Sequence, residues 1–558
     1  MYITPNSNIR LLSNIPCDPN YEHTLYFDSP TSQKNYFISK TKRNLTNYSY
    51  QRYAKGIIRV EILADNLYDV NYMMFQNTAF GNKWFYAFVD KVEYINDVTS
   101  EIYYHIDEIQ TWMDSWVLNQ CFIERTHTQR DRVGDSITPE PVEVGEYVYN
   151  DDYKAISDFR IGDGRGVIVI AIADNELSLV DPSSMYDGGQ VYDGIFNGCK
   201  LYAYSVAEEH YTNINFIINS AVLEGHPDSI ISIYMLPSDA IPDQYVNTGN
   251  QLPHNIKGQV KKRVLGTCGT KVGEHTVRNK KLLTYPYNFL NINNSDGANL
   301  ALRYEFFKNG EAKVALMGTV TQPAQVVCVP EDYKHLNADV DNVINVDERL
   351  TLSNYPICSW SYDAWRAWIA QNSGPLVISA LSAGASLALS AYNPSATIGT
   401  GIIGAGGTEL TKTTPASIDF NTNASIYGIH QVSNILTSMY KASIAADVCK
   451  GNISSGTAMQ AHGAYGFFYG RMSVNKQQAE IIDSFFDKYG YAVNKIDYPR
   501  THNRKEWTYI KTIGCAIGGS IPADSKRSIE NIFDKGITFW ANPDHVGNYG
   551  YLNEPFLQ

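Results

Sequence analysis

From residue 367 to residue 408 the chain runs for 42 residues without Asp, Glu, Lys or Arg. Within this run, residues 375–392 mix Leu, Val and Ile with Ala, Ser and Gly, and residues 398–407 are Gly-rich around Ile402 and Ile403. Residues 420–440 again lack all four charged types. The apolar part of the first run has about the length of a minimal membrane-spanning helix, roughly 17–25 residues. Its small residues suit helix packing in lipid, but Ser dilutes it and Gly loosens it. Three placements fit: a core helix with a Gly-rich loop, a constitutive membrane anchor, or a segment stored against protein and later inserted into a bilayer. A structureless stretch this long is uncommon inside a compact domain and tends to be functional.

Outside this run the chain is long enough, at 558 residues, for several domains with large cores. A formal charge of −13 and a pI near 5.4 argue against a basic nucleic-acid-binding surface. Only 18% of residues are charged, while Tyr alone accounts for 40. That balance suits β-rich assembly proteins with much neutral and aromatic surface. The eight cysteines, Cys17, Cys121, Cys199, Cys268, Cys328, Cys358, Cys449 and Cys515, are scattered with no CxxC. Buried thiols in a chain made in a reducing cytosol are favoured over disulfides. No basic segment followed by an apolar run opens the chain, so no signal peptide is expected.

Hydrophobic periodicity predicts strand, helix, strand, strand, helix, strand over residues 57–126. The first helix is expected from Leu67, Val70 and Met74 after an Asp65 cap. The second is expected from Ile109, Trp112, Met113 and Trp116. Asn96-Asp97 signals a hairpin. Residues 463–541 predict the same order, with Ile481, Ile482, Phe485, Phe486 and Tyr489 inward on the first helix and Gly490 and Gly536 as stops. Two units of one order suggest an internal duplication. Between them, short runs such as 167–172, 216–218, 230–236 and 313–320 predict β-rich structure. The fold class is therefore mainly β with α+β units.

Chemical motifs are scarce. HExxH, G-x-S-x-G and the Walker loop are all missing from the sequence. Gly162-Asp163-Gly164-Arg165-Gly166 precedes a strand and fits a turn. Gly266-Thr267-Cys268-Gly269-Thr270-Lys271 has the wrong spacing for a phosphate loop and fits a hairpin turn. Asp339, Asp341, Asp347 and Glu348 lack the EF-hand glycine, so a solvated acidic turn is favoured. Arg125, Arg130 and Arg132 around His127 are read as a solvated loop or an inter-subunit ion pair. No catalytic residue, metal site or cofactor is predicted.

Several segments carry a resemblance: Met74-Phe75-Gln76-Asn77, Gly81-Asn82-Lys83-Trp84-Phe85-Tyr86-Ala87-Phe88-Val89 and Ile106-Asp107-Glu108-Ile109-Gln110-Thr111-Trp112-Met113. Near the other end are Ser484-Phe485-Phe486-Asp487-Lys488-Tyr489-Gly490-Tyr491 and Ile532-Phe533-Asp534-Lys535-Gly536-Ile537-Thr538. Together they resemble the distal tail knob (major tail) protein of small short-tailed bacteriophages, the Picovirinae-type podophages. The resemblance covers about a third of the chain and does not reach residues 130–340.

It implies a structural virion protein at the distal tip of a short tail, made in the host cytoplasm and assembled as a homohexameric, ring-forming tube. That tube would be a conduit for genome ejection, closed by apolar loops that later enter the host membrane. The implied organisation is an N-terminal tube unit at 1–126, a β-rich middle (knob) region at 127–345, a linker and channel-plug loop at 346–462, and a C-terminal tube unit at 463–558. The implied plug residues are Leu376, Val377, Ile378, Leu381, Leu387, Leu389, Tyr392, Ile398, Ile402 and Ile403. The tube-fold motif is Trp84, Phe85, Tyr86, Phe88, Trp112, Phe485, Phe486 and Tyr489. Partners would be proximal tail proteins, a tail-tip lysin, the host membrane and passing DNA without specific binding. A receptor-binding or cell-wall-degrading tail protein is the alternative.

Overall fold

Alternation decides the first sheet. In Tyr72-Met73-Met74-Phe75, Tyr72 and Met74 enter one apolar core while Met73 and Phe75 enter another. A strand buried on both faces needs apolar residues at every position. This is why the segment mimics a helix: strand Val70–Gln76 follows a short 3-10 turn at Ala64–Leu67, and the helix predicted from Leu67, Val70 and Met74 does not form. A short continuous apolar run cannot be told from a buried helix by period alone.

The computed structural model describes residues 6–48, 56–150, 153–160, 165–172, 190–206, 230–321, 324–334, 348–352, 360–361 and 465–557, with 210, 212–214 and 216–217 between them. The chain divides into two units. The first holds residues 1–148, 269–288 and 473–558, and the second 149–268 and 289–472.

In the first unit, six antiparallel strands lie in the order Thr41–Tyr48, Ser7–Ser13, Val70–Gln76, Phe85–Asn96, Thr99–Ile106 and Ile57–Val60. A second sheet orders Thr24–Leu25, Ile537–Trp540, Trp507–Ile513, Cys121–Thr126 and Tyr491–Asp497. Only its first pair is parallel; the rest are antiparallel. Strands Thr24–Leu25 and Cys121–Thr126 thus join a sheet whose other three strands come from C-terminal residues. One core joins both chain ends, with Leu12, Phe37, Tyr72, Tyr86, Phe88 and Ile109 packed with Trp507, Ile529, Phe533 and Trp540.

Helix Lys476–Tyr489 is capped by Asn475, whose side chain accepts from the Gln478 N–H, and ends at Gly490. Ile482 and Phe486 point inward as predicted, but Ile481 is 53% exposed. Helix Ala523–Lys535 ends at Gly536. Residues 468–540 thus run strand, helix, strand, strand, helix, strand, with the short strand Ile517–Gly519 added before the second helix. The helix predicted around Ile109 is only Glu108–Trp112, and Trp116 opens the strand Trp116–Leu118.

The second unit is built of antiparallel sheets. Val167–Ile172 lies between Lys200–Ser205 and Ile230–Leu236, while Glu311–Gly318 lies between Val260–Thr267 and Val326–Glu331. Asp193-Gly194 joins Gln190–Tyr192 to Ile195–Asn197 with both turn residues at positive φ, 52° and 76°, as a two-residue hairpin demands. The Asp193 carboxylate accepts the backbone N–H groups of Gly258 at 2.7 Å and Val320 at 2.6 Å. Phe216 and Ile217, expected to be extended, are helical. The mainly β character holds.

Candidate functional site

Two of the family-like segments, 81–89 and 106–113, meet in a buried polar corner of the first unit. Asp107 caps helix Glu108–Trp112: one carboxylate oxygen accepts the Gln110 N–H at 3.0 Å and the other the Tyr72 hydroxyl at 2.8 Å. Burial raises the Asp107 pKa to about 6. The Gln110 amide donates to the Leu25 carbonyl at 2.7 Å and accepts from Gln33 at 2.8 Å. The Thr111 hydroxyl receives the Tyr86 N–H at 3.0 Å and donates to the Tyr86 carbonyl at 3.1 Å. The Trp112 indole donates to Glu108 at 3.0 Å, and Lys83 sits 3.3 Å from its ring centre. Burial lowers the Lys83 pKa to about 8. These polar groups are partnered within the corner, which positions its strands.

The motif aromatics are packing groups. Tyr86 and Phe88 are buried, and Phe88 meets Tyr72 edge-on at 5.2 Å. Phe85 stacks on Phe75 at 5.4 Å and lies 6.2 Å from Trp112. Trp84 lies against the same core as Tyr86. Phe486 meets Tyr491 at 5.3 Å and Tyr287 at 5.8 Å, while Phe485 and Tyr489 are 5.2 Å apart.

A second buried network was not foreseen. Asp483 and Asp487 lie one turn apart on helix Lys476–Tyr489, among its buried residues. Two like charges at that spacing repel, so cations and N–H donors must face them. Residues 269–288 supply these groups. Asp483 pairs with His275 at 2.7 Å and accepts the N–H groups of Arg278 at 2.9 Å and Asn279 at 3.0 Å. Asn279 also donates to Asp487 at 2.7 Å, and Arg278 pairs with Asp487. Burial raises the Asp487 pKa to about 6. Glu140 is paired with both Arg125 and Lys281. The sequence signal was the i, i+4 carboxylate pair on an otherwise apolar helix face.

Arg125 corrects the solvated-loop reading. It is 7% exposed, donates to the Gly490 carbonyl at 2.7 Å and lies 4.7 Å from the centre of the Phe485 ring. His127 is buried and neutral by geometry: its Nδ1 accepts the Tyr509 N–H at 2.9 Å and its Nε2 donates to the Asp487 carbonyl at 3.1 Å. Burial and then Arg504 lower its pKa to about 3. Arg130 remains a surface ion pair with Asp135 at 2.8 Å.

Leu376, Val377, Ile378, Leu381, Leu387, Leu389, Tyr392, Ile398, Ile402 and Ile403 lie outside the described residues, as do Asp339, Asp341 and Asp347. Among the described residues no helix is long and apolar enough to cross a membrane, and no group of three or more His, Cys, Asp or Glu could hold a metal ion.

Comparison with known proteins explains a scaffold built from packing and paired charge. The model for the C-terminal domain of the Bacillus phage phi29 tail knob protein gp9 matches residues 251–554, and the model for the caudoviral major tail protein N-terminus matches residues 5–116. The tail knob protein gp9 of Bacillus phage PZA is 26% identical, covering 98% of each chain. That of phi29 is 24% identical over the same shares. The solved tail knob protein gp12 of bacteriophage C1 shares the fold at a TM-score of 0.61, with 14% identity over 97% of this chain and 98% of that one. The class is thus a structural component of a bacteriophage tail, not an enzyme. More narrowly, the chain belongs to the tail knob protein gp9 family, whose model spans more than half of it.

Proposed function

We propose that this tail knob protein assembles as a homohexameric tube at the distal tip of a short tail and conducts the genome during ejection. The observation that carries this reading is the 42-residue uncharged run within a chain of the tail knob family. Residues of 1–126 and 463–558 form the tube wall, and 127–345 the knob. Six copies of 346–462 close the channel, then bury Leu376, Val377, Ile378, Leu381, Leu387, Leu389, Tyr392, Ile398, Ile402 and Ile403 in the host membrane. Each buried CH₂ contributes about 0.8 kcal/mol. Absence of charge avoids about 2.5–3.5 kcal/mol per Lys, Arg or Asp at mid-bilayer.

The acidic balance supports passage of a polyanion without adhesion, so channel-facing positions carry net negative charge. Neighbouring copies, proximal tail proteins and a tail-tip lysin are the protein partners. A surface feature supports ring closure: Phe122 faces Ile496 and Ile513 on the two flanking strands, and those isoleucines are 67% and 56% exposed. An apolar row of this kind is what a second copy covers.

A liposome-leakage assay tests the membrane step. Intact protein releases an entrapped dye, and an assembled ring lacking residues 375–407 does not. Equal leakage by both would contradict the reading.

A further inference from the structure

Two cysteines from opposite ends of the chain meet at a break in one ladder of the first unit. Leu118 faces Ile517 and Phe122 faces Ile513. The Asn119 N–H donates to the Ala516 carbonyl at 2.9 Å. All three pairs share one register. It leaves only Gly514 and Cys515 opposite Gln120 and Cys121.

Regular pleating would point diagonal neighbours to opposite faces. Gly514 breaks the pleat with φ +68°. The Asp534 carboxylate holds the kink by accepting the Gly514 N–H at 3.1 Å and the Cys515 N–H at 3.0 Å. The kink takes Cys515 out of the regular pleat, and the Cys121 and Cys515 thiols are near enough to influence one another's titration. Both are buried, at 6% and 8% exposure, and both are free thiols.

We propose that Cys121 and Cys515 are an oxidisable pair that closes to a disulfide when the protein meets a low-molecular-weight disulfide outside a reducing compartment. A virion tail component spends part of its life in such surroundings. One cysteine thiolate attacks the small disulfide, forming a mixed disulfide and releasing one small thiolate. The second cysteine thiolate attacks the protein-bound sulfur, forming the Cys121–Cys515 bond and releasing the other. Two protein thiols are oxidised, one small disulfide is reduced to two thiols, and the two protons pass to the released thiolates.

Burial pushes the Cys515 thiol up to about 12, so thiolate is scarce at neutral pH. Closure therefore belongs at the slow end of the seconds-to-hours range. The bond ties strand Cys121–Thr126 to the segment after strand Trp507–Ile513 and holds an N-terminal strand within a C-terminal sheet.

The experiment incubates the full-length protein with oxidised glutathione, alkylates the remaining thiols and maps peptides by mass spectrometry. The expected result is one peptide pair joined through Cys121 and Cys515, absent after reduction. Oxidised wild type should also unfold at a higher temperature than reduced protein, and Cys515→Ser should abolish that rise. If both cysteines are recovered fully alkylated after prolonged oxidation, the proposal is overturned. The wild-type map decides the question even if the variant does not fold.

Discussion

Single titratable residues in the buried scaffold set opposing responses to acid. Asp107 has a folded pKa raised to about 6, above the roughly 3.9 of an unfolded chain. Between those values the folded state holds a proton that the unfolded state releases, so this contribution to stability grows as pH falls from 6 to 4. The slope is about 1.4 kcal/mol per pH unit. Asp107→Asn keeps the cap and removes the slope, so wild type should gain on the variant in urea melts toward pH 4. His127 works the other way. Its folded pKa is lowered to about 3, below the roughly 6.5 of the unfolded chain. The unfolded state takes up the proton first, and stability is lost as pH falls from 6.5 to 3. His127→Gln should be less stable at neutral pH yet flatter on the acid side. An unchanged acid slope in either variant would contradict the assignment.

At the level of elements, helix Lys476–Tyr489 depends on one glycine. Gly490 has φ +63°, and a Cβ there would lie 2.5 Å from the backbone of Thr126 and His127. The neighbouring atoms are backbone and cannot rotate away. Gly490→Ala should cost on the order of 3 kcal/mol, read as a lower denaturation midpoint with an unchanged m-value. Gly490 and Gly536 were readable in the sequence as stops because each follows an amphipathic stretch with a clear period. The hairpin signalled by Asn96-Asp97 forms one residue on, with Asn96 paired to Thr99 and Asp97-Val98 in the turn, and was readable from turn chemistry. Strand Val70–Gln76 was not, because burial on both faces erases the alternation that marks a strand. Ile481 misled for a related reason: a residue beside the apolar stripe has apolar chemistry without burial. The network of Asp483, Asp487, His275, Arg278 and Glu140 was hidden more deeply. Asp483 lies 208 residues from His275 and 205 from Arg278, and only the fold brings the cations of 269–288 to a helix that otherwise reads as ordinary.

Across the whole molecule, the two chain ends cooperate rather than stand apart. Strand Cys121–Thr126 sits between Trp507–Ile513 and Tyr491–Asp497, and strand Thr24–Leu25 pairs with Ile537–Trp540. A shared core of this kind holds segments from both ends of the chain in one unit. The low charged fraction of the chain comes in part from the long segment that lacks charge altogether. The most direct test of the proposed tube is a negative-stain image of the purified full-length protein. Six-fold rings with a central hole are the predicted result, and isolated monomers at micromolar concentration would contradict it.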